Sequence, residues 1–513
     1  MKPELPRLSA ADAFGALENV QTLAFLTTTE GGGKILTDGA AADLIAAYGV
    51  DLPATVRQLD ITGETGQIRT MALPPLAGDD RWAHLPATLM FVGIGSPEDS
   101  PAEESATSRA RRAGGAFARA LRPGVAAAVA GFDDRGEQVA TAFGEGIHLA
   151  AYRHPATGTL ERPDPPRSVR LVGASEEAVT AAVDRAHATV AARTWAATPS
   201  NTKNPEWLAG EARREGKNAR ATVRVYDEKW IDAQGMGGLA AVGGGSASPP
   251  RFVVVEYTPK GRPPGEIVVV GKGITYDTGG LDIKPREAMM PMKTDMTGAA
   301  VTLAAVVGAA KARAENSIVA VLPLAENAVS GSSYRPSDVV TMFDGTTVEI
   351  GNTDAEGRMV LADAMAWARE EYSPKVLIDV ATLTGAATLG LGKIHGALYA
   401  TTTPLAGAFL AAGAATGEPV WRMPLVAEYR ASLDSPVADL SHISGPGVGA
   451  GSITAALFLQ HFAGDTPWVH LDIAGPARAA KTGGLVTEGA TGFSARLLRH
   501  YLLNDPLAAL EED

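Results

Sequence analysis

Two glycine-rich segments carry charged residues just after apolar runs, where side chains can converge outside a core. The first runs Val270-Gly271-Lys272-Gly273, then Tyr276-Asp277-Thr278-Gly279-Gly280, then Lys284, and on to Met292-Lys293-Thr294-Asp295. The second is Gly351-Asn352-Thr353-Asp354-Ala355-Glu356-Gly357-Arg358, set between the strand-like stretch 347–350 and a helix-like stretch. Glycines around Lys272 and Asp277 let the backbone turn sharply and leave the two side chains room to meet. Either segment alone is compatible with surface ion pairs. Both together, each in a strand-end loop, point to a site, because such loops are where open α/β sheets bind ligands.

Asp277, Asp295, Asp354 and Glu356 in one cleft would repel strongly and raise one another's pKa values unless cations neutralise them. Oxygen-rich ligation points to hard or borderline divalent ions such as Mn²⁺, Mg²⁺ or Zn²⁺. The charge balance favours two ions. With Lys284 and Arg358 charged, and Lys272 neutral as a ligand, two dications leave an excess that a hydroxide and one further anion cancel. A bridged pair about 3.5–4 Å apart can polarise a carbonyl and generate hydroxide together. Lys272 can ligate only without its proton, which adjacent dications enforce.

The remaining composition narrows the alternatives. The 513 residues contain no cysteine, which removes disulfides, thiolate metal sites and cysteine nucleophiles. The nine histidines are dispersed, and no HExxH, GxSxG or GxxxxGK[ST] pattern occurs. A net charge of −13 argues against a nucleic-acid partner. The helix bearing Arg109, Arg111, Arg112 and Arg119 reads as a solvated face. Gly144-Glu145-Gly146 and Gly243-Gly244-Gly245 lack the full GxGxxG spacing and read as tight turns. No apolar run reaches the roughly 18 residues of a membrane span, and Met1 to Pro6 lacks the core of a signal peptide, so a cytoplasmic protein without a membrane partner is expected.

The elements that must position the charged loops alternate strand with helix, as in an α/β protein. In the first third, 87–92, 125–130 and 168–172 read as strands and 105–121 as a helix. A turn-rich stretch at 162–166 marks a domain edge. An Ala-rich run without Gly or Pro from Glu176 to about Trp195 reads as a long helix. Beyond it, 251–256, 267–270, 317–322, 375–380 and 468–472 read as strands, and 298–314, 359–370 and 450–463 as helices. The expected organisation is a smaller N-terminal α/β domain (1–174), a connecting helix (175–197) and a larger catalytic α/β domain (198–513) with a central mixed sheet flanked by helices.

The two charged segments resemble the signatures of the leucyl aminopeptidase family, the M17 cytosol aminopeptidases. Asn352 to Arg358 reads NTDAEGR, as the family does, and Lys272, Asp277, Lys284 and Asp295 fall at its spacing. The likeness extends through Met236-Gly237-Gly238, Pro249-Pro250-Arg251, DVATLTG from Asp379 to Gly385, PWVHLDIAG from Pro467 to Gly475, and GATGF from Gly489 to Phe493. It covers essentially the whole second domain. The N-terminal domain matches weakly, chiefly around Glu145-Gly146 and Tyr152.

This resemblance implies that Lys272, Asp277, Asp295 and Glu356 hold one metal and Asp277, Asp354 and Glu356 the other. Lys284 and Arg358 would be the catalytic pair that is not ligated, the lysine stabilising an oxyanion and the arginine holding bicarbonate as general base. The implied cofactors are two divalent ions per subunit, Mn²⁺ or Zn²⁺ with Mg²⁺ or Co²⁺ as alternatives. The implied reaction is attack of a metal-bridging hydroxide that releases the N-terminal residue, leucine-like by preference, from peptides with a free amine. Met292, Thr382 and Gly385 match positions lining the first side-chain pocket, and the implied assembly is a homohexamer. Tyr276 stands where Phe is common, Thr297 where Gly is common, and Ser441-His442-Ile443-Ser444 replaces a stretch richer in Lys and Asn. These departures bear on pocket shape and subunit packing, and none removes a ligand. Two other readings keep parts of the pattern: a DNA-binding or scaffolding role of the same assembly, and a two-metal phosphoesterase.

Overall fold

The structure is a computed structural model and describes residues 3–12, 17–37, 39–73, 84–97, 105–133, 135–155 and 164–510. The chain divides into two compact α/β units, one within residues 1–190 plus 481–488 and the other within 191–480 plus 489–513. The division falls inside one long helix, Glu176–Ala197. Of the turn-rich stretch at 162–166, residues 162 and 163 lie outside the described residues.

The first unit is built on strands β1 (Arg7–Ala11), β2 (Thr22–Thr28), β3 (Lys34–Ile35), β4 (Ile68–Ala72), β5 (Thr88–Gly93), β6 (Ala126–Ala130) and β7 (Ser168–Val172). They lie in the order β1-β7-β6-β2-β5-β4, with β3 paired to β2. The centre is parallel, and β3 and β4 add antiparallel edges. All seven residues of β2 and all five of β6 are buried, as expected of strands covered on both faces.

Two expectations for this unit are corrected. Gly144-Glu145-Gly146 is no turn; it lies inside the helix Glu137–Ala151, which packs on the helix Ala106–Ala120. A Cβ on Gly146 would sit 2.0 Å from the Arg111 carbonyl oxygen, and one on Gly114 2.0 Å from that of Phe143. These glycines let two helix backbones touch, so their role is close approach and not chain reversal. The arginine helix is likewise not a solvated face throughout. Arg109 and Arg111 are buried, and Arg111 Nε donates to Glu145 Oε2 at 2.9 Å. Neither guanidinium is therefore presented to a phosphate backbone.

The second unit contains β8 (Thr222–Tyr226), β9 (Arg251–Tyr257), β10 (Ile267–Gly271), β11 (Gly273–Asp277), β12 (Ile318–Asn327), β13 (Val339–Thr341), β14 (Thr347–Glu349), β15 (Val376–Ala381), β16 (Gly396–Ala400), β17 (Val420–Arg422), β18 (Leu440–Ser441) and β19 (Trp468–Asp472). The main sheet runs β17-β16-β19-β15-β10-β12-β9-β8, with β11 on β12. It is mixed: β19, β15, β10, β12 and β11 are parallel, whereas β8, β9 and β16 pair antiparallel. β10 (IVVVG) and β15 (VLIDVA) are buried at every position. The helices Thr297–Lys311 and Glu356–Tyr372 are buried along most of their length and belong to the core of this unit. A small sheet β13-β14-β18 stands directly before the second charged segment. No helix among the described residues is long and apolar enough to cross a membrane.

Gly146→Ala is expected to force the two helices apart and destabilise the protein by about 3 kcal/mol, the upper range for overpacking. By contrast Gly210→Ala, in the helix Pro205–Asn218 with nothing within 4 Å of the added carbon, should stabilise it by roughly 0.5–1 kcal/mol. Urea unfolding of the three proteins checks both signs.

Candidate metal centre

The charged loops converge at the carboxyl ends of the parallel strands. Lys272 is the single residue between β10 and β11, and Asp277 ends β11. Asp295 follows the short turn Met292–Thr294, just before the helix Thr297–Lys311, while Glu356 opens the helix Glu356–Tyr372. A Cβ at position 357 would lie 2.6 Å from Lys272 Cε, so a larger residue there would displace the lysine stem. The lysine stem thus crosses the first turn of that helix to reach the carboxylates.

Lys272 Nζ lies 2.9 Å from Asp295 Oδ2, 2.8 Å from Glu356 Oε1 and 3.0 Å from the Thr382 carbonyl. Lys284 Nζ pairs with Asp277 Oδ2 at 2.8 Å and with Asp354 Oδ1. Asp277 Oδ1 accepts hydrogen bonds from the Gly279 N–H and from Asn327 Nδ2, both at 2.8 Å. Thr382 Oγ1 donates to Asp295 Oδ1 at 2.7 Å. Asp472, at the end of β19, accepts from the N–H groups of Leu383, Thr384 and Ala474 and so shapes the loop after β15.

Burial and mutual repulsion set the protonation of this cluster. Burial, reinforced by Glu356, pushes the Asp277 carboxyl up to about 6 although both lysines oppose the shift. Burial also pushes Asp295 well up, and Lys272 offsets that only in part. Glu356 goes the other way: burial would raise it, but the adjacent Lys272 ammonium more than compensates. Both lysines are raised above their ordinary value, since the carboxylates outweigh the cost of burying the cations. Lys272 is a protonated counter-ion in this arrangement, the opposite of the neutral state a ligand needs.

Nine of the ten expected site residues line one cavity of about 340 Å³: Lys272, Asp277, Lys284, Met292, Asp295, Asp354, Glu356, Thr382 and Gly385. Arg358 does not line it. That guanidinium is buried, donates Nη1 to the His442 carbonyl at 2.6 Å, and is lowered to about 10 by burial. Its Nε makes no hydrogen bond among the described residues.

The donor set fits divalent cations. One oxygen each from Asp277, Asp354 and Glu356 lies within 4.8 Å of the others. Asp295 Oδ2, Asp354 Oδ1 and Glu356 Oε1 are buried and accept no hydrogen bond of ordinary geometry, and the ammonium groups meet them only as ion pairs. Oxygens so disposed suit an ion better than directional donors.

Several supporting residues escape sequence reasoning. Asn327 ends an ordinary strand, and nothing in the chain marks it as the partner of Asp277. Thr294, Leu383, Thr384, Thr388, Ala474, Ala477 and Arg478 complete the cavity wall. His442 was visible only as a departure from the family pattern. It is fully buried, its Nδ1 lies 3.1 Å from the Gly351 N–H and its Nε2 lies 2.9 Å from the Asn352 carbonyl, so it holds the loop that leads to Asp354.

Burial, helped by the Arg358 charge, pushes the His442 imidazole down to about 4. In the unfolded chain it titrates near 6.5, so the unfolded state takes up the proton first. Stability is therefore expected to be undiminished by this group above about pH 6.5 and to be lost as the pH falls towards 4. His442→Gln, which cannot titrate, should lose less stability than the parent between pH 7 and 4.5 in denaturant melts. Equal losses would refute the assignment.

Comparison with known proteins follows the same division of the chain. Residues 190–499 match the catalytic domain of the cytosol aminopeptidase family, and residues 25–157 match its N-terminal domain. A probable cytosol aminopeptidase of Chlorobaculum tepidum is 48% identical over 305 residues, 59% of this chain and 60% of the relative. With that protein and two Chlorobium relatives the match spans about 60% of the relatives' length. A probable cytosol aminopeptidase of Desulforapulum autotrophicum is 36% identical over 462 residues, 87% of this chain and 88% of the relative. Among solved structures, the bottromycin maturation enzyme BotP in complex with Mn is similar with a TM-score of 0.80 and 34% identity, covering 94% of this chain and 99% of that one.

Proposed function

The chain belongs to the cytosol aminopeptidase family, and on that premise we propose that it is a metallo-aminopeptidase that releases N-terminal residues, leucine-like by preference, from peptides. The observation that carries this reading is the convergence of four carboxylates and two lysines on one cavity large enough for a side chain.

In this proposal Lys272, Asp277, Asp295 and Glu356 would hold one divalent ion, and Asp277, Asp354 and Glu356 the other. Mn²⁺ is the first candidate, in keeping with the Mn complex of the similar enzyme, and Zn²⁺ the second. Such ions supply Lewis acidity towards a carbonyl oxygen and neutralise the carboxylate cluster. The protein's own groups do the rest. Asp295 would accept a hydrogen bond from the substrate's free α-amine, which selects peptides with a free N-terminus. Lys284 reaches from Asp277 and Asp354 towards the reacting carbonyl and stabilises the negative charge that develops on its oxygen. Met292, Thr382 and Gly385 shape the pocket for the first side chain. Arg358 would hold bicarbonate as general base, and its Nε leaves a donor for that anion. A cytoplasmic homohexamer completes the reading.

Turnover of a leucine anilide is expected to vanish on exhaustive chelation and to return with Mn²⁺ or Zn²⁺. Unchanged turnover after chelation would reject the proposal, and turnover of a phosphate ester instead would favour the phosphoesterase alternative. Lys284→Ala should lower kcat by about 10²–10³-fold with little change in metal content. Asp354→Ala should reduce bound metal from two ions to one per chain, as read by elemental analysis.

A further inference from the structure

Lys203 is a buried amine that the proposed chemistry does not use. It lies just before the helix Pro205–Asn218 and is 0% exposed. Among the described residues it makes no ion pair. Its Nζ instead donates to two backbone carbonyls, Thr275 O at 3.1 Å and Lys293 O at 2.5 Å. Removing a lysine from water is costly, and burial together with the Lys293 charge pushes its pKa down to about 7. Either protonation state still offers two N–H donors, so the tie to both carbonyls survives the titration.

What these carbonyls belong to gives the residue its meaning. Thr275 stands two residues before Asp277 in β11, and Lys293 two residues before Asp295. The pairing of β11 with β12 shifts register between Ile274 and Asp277, so the ladder is irregular where the strand must deliver Asp277. The 292–294 turn is closed by its own bonds, Thr294 Oγ1 to Pro291 O at 2.8 Å and Asp295 N to Met292 O at 3.2 Å. Those bonds shape the turn without attaching it to β11. The turn packs directly on β11, and Tyr276 Oη donates to the Met289 carbonyl at 3.3 Å just ahead of it; Lys203 Nζ adds the hydrogen bonds that tie the Thr275 and Lys293 carbonyls together, and Ser200 Oγ adds a second donor to Thr275 O at 3.0 Å.

We propose that Lys203 is a positioning residue: by clamping β11 to the turn before Asp295 it fixes the spacing of Asp277 and Asp295 and sets the affinity for the ion they share. This rests on the two-ion reading above. The ion held by Asp277, Asp354 and Glu356 depends on the clamp less, because Asp354 and Glu356 lie on the other segment. Supporting residues behind metal ligands typically change affinity 10–100-fold.

The test is a Mn²⁺ titration of full-length parent, Lys203→Met and Ser200→Ala by calorimetry, with electron paramagnetic resonance of free and bound Mn²⁺ alongside. The parent should take two ions per chain. Lys203→Met should keep one near its parental affinity and bind the other at least tenfold more weakly, with loss of the coupled two-ion signal at stoichiometric loading. Ser200→Ala, which removes one donor and leaves the amine, should shift the same site in the same direction by less. A general loss of stability would lower the melting temperature without separating the two sites. Folded Lys203→Met with both parental affinities overturns the inference, and if that variant does not fold, an unchanged titration of Ser200→Ala does so. A parent that binds no Mn²⁺ overturns the two-ion reading itself, and is distinguished by needing no variant.

Discussion

Mutual repulsion among clustered carboxylates is the constraint around which the second unit is organised. Three of them place oxygens within 4.8 Å of one another. At that separation a pair of like charges costs roughly 3–4 kcal/mol even at an effective dielectric constant of about 20. Without counter-charge the cluster would take up protons or spread apart. Lys272 and Lys284 supply that charge from within the same loops, each bridging two carboxylates. The two ammonium groups thus supply at the carboxylates the positive charge that divalent ions would supply under the proposed function. A site that binds cations must remain folded without them, and the lysines meet that requirement.

Holding the cluster together demands rigid supports, and these come from the ends of five adjacent strands. β10 and β15 are buried throughout and cannot shift without disturbing the core. Asn327, at the end of β12, joins Asp277 Oδ1 to the Thr353 carbonyl, linking the two charged segments by one amide. The hydroxyl of Thr353 adds a second link, donating to the Gly279 carbonyl at 2.7 Å. Asp472 at the end of β19 orders the loop that carries Thr382. The smallness of Gly357 lets the Lys272 stem lie against the helix. Backbone approach and side-chain charge are thus coupled at the same point.

How far this was legible in the sequence depends on whether the signal is local. The strands 267–271, 376–381 and 468–472 are mostly apolar runs, and the expected bounds differ from the observed ones by a residue or so. β11 was missed as a strand because its five residues, GITYD, carry the turn glycine and the charged residue of a loop. The helix 137–151 was misread at Gly144-Glu145-Gly146 because close helix packing leaves the same composition as a turn, and only the partner helix distinguishes them. The charged segments were legible because their residues cluster in the chain. Asn327 and Lys203 were not, since each is an ordinary residue whose side-chain partners lie 26 to 90 positions away. Arg358 shows the opposite limit: its place in the chain was plain, but its side-chain direction depends on the His442 carbonyl, which no local pattern encodes.

Three lysines in this unit, Lys203 and Lys272 buried and Lys284 half-buried, show that burial alone does not decide a side chain's chemistry. Lys272 and Lys284 face carboxylates, and the attraction more than repays desolvation, so both are held protonated. Lys203 is as deeply buried as Lys272, yet its contacts are carbonyl dipoles, and burial with the like charge of Lys293 outweighs the pull of Asp295 and Glu326, so its pKa falls to about 7. The first two can neutralise anions but would have to surrender a proton, or move, for a metal to take their place. The third can do neither task well. It can, however, donate hydrogen bonds without contributing a permanent charge to a centre that already balances several, and that is the property a structural clamp beside a metal site requires.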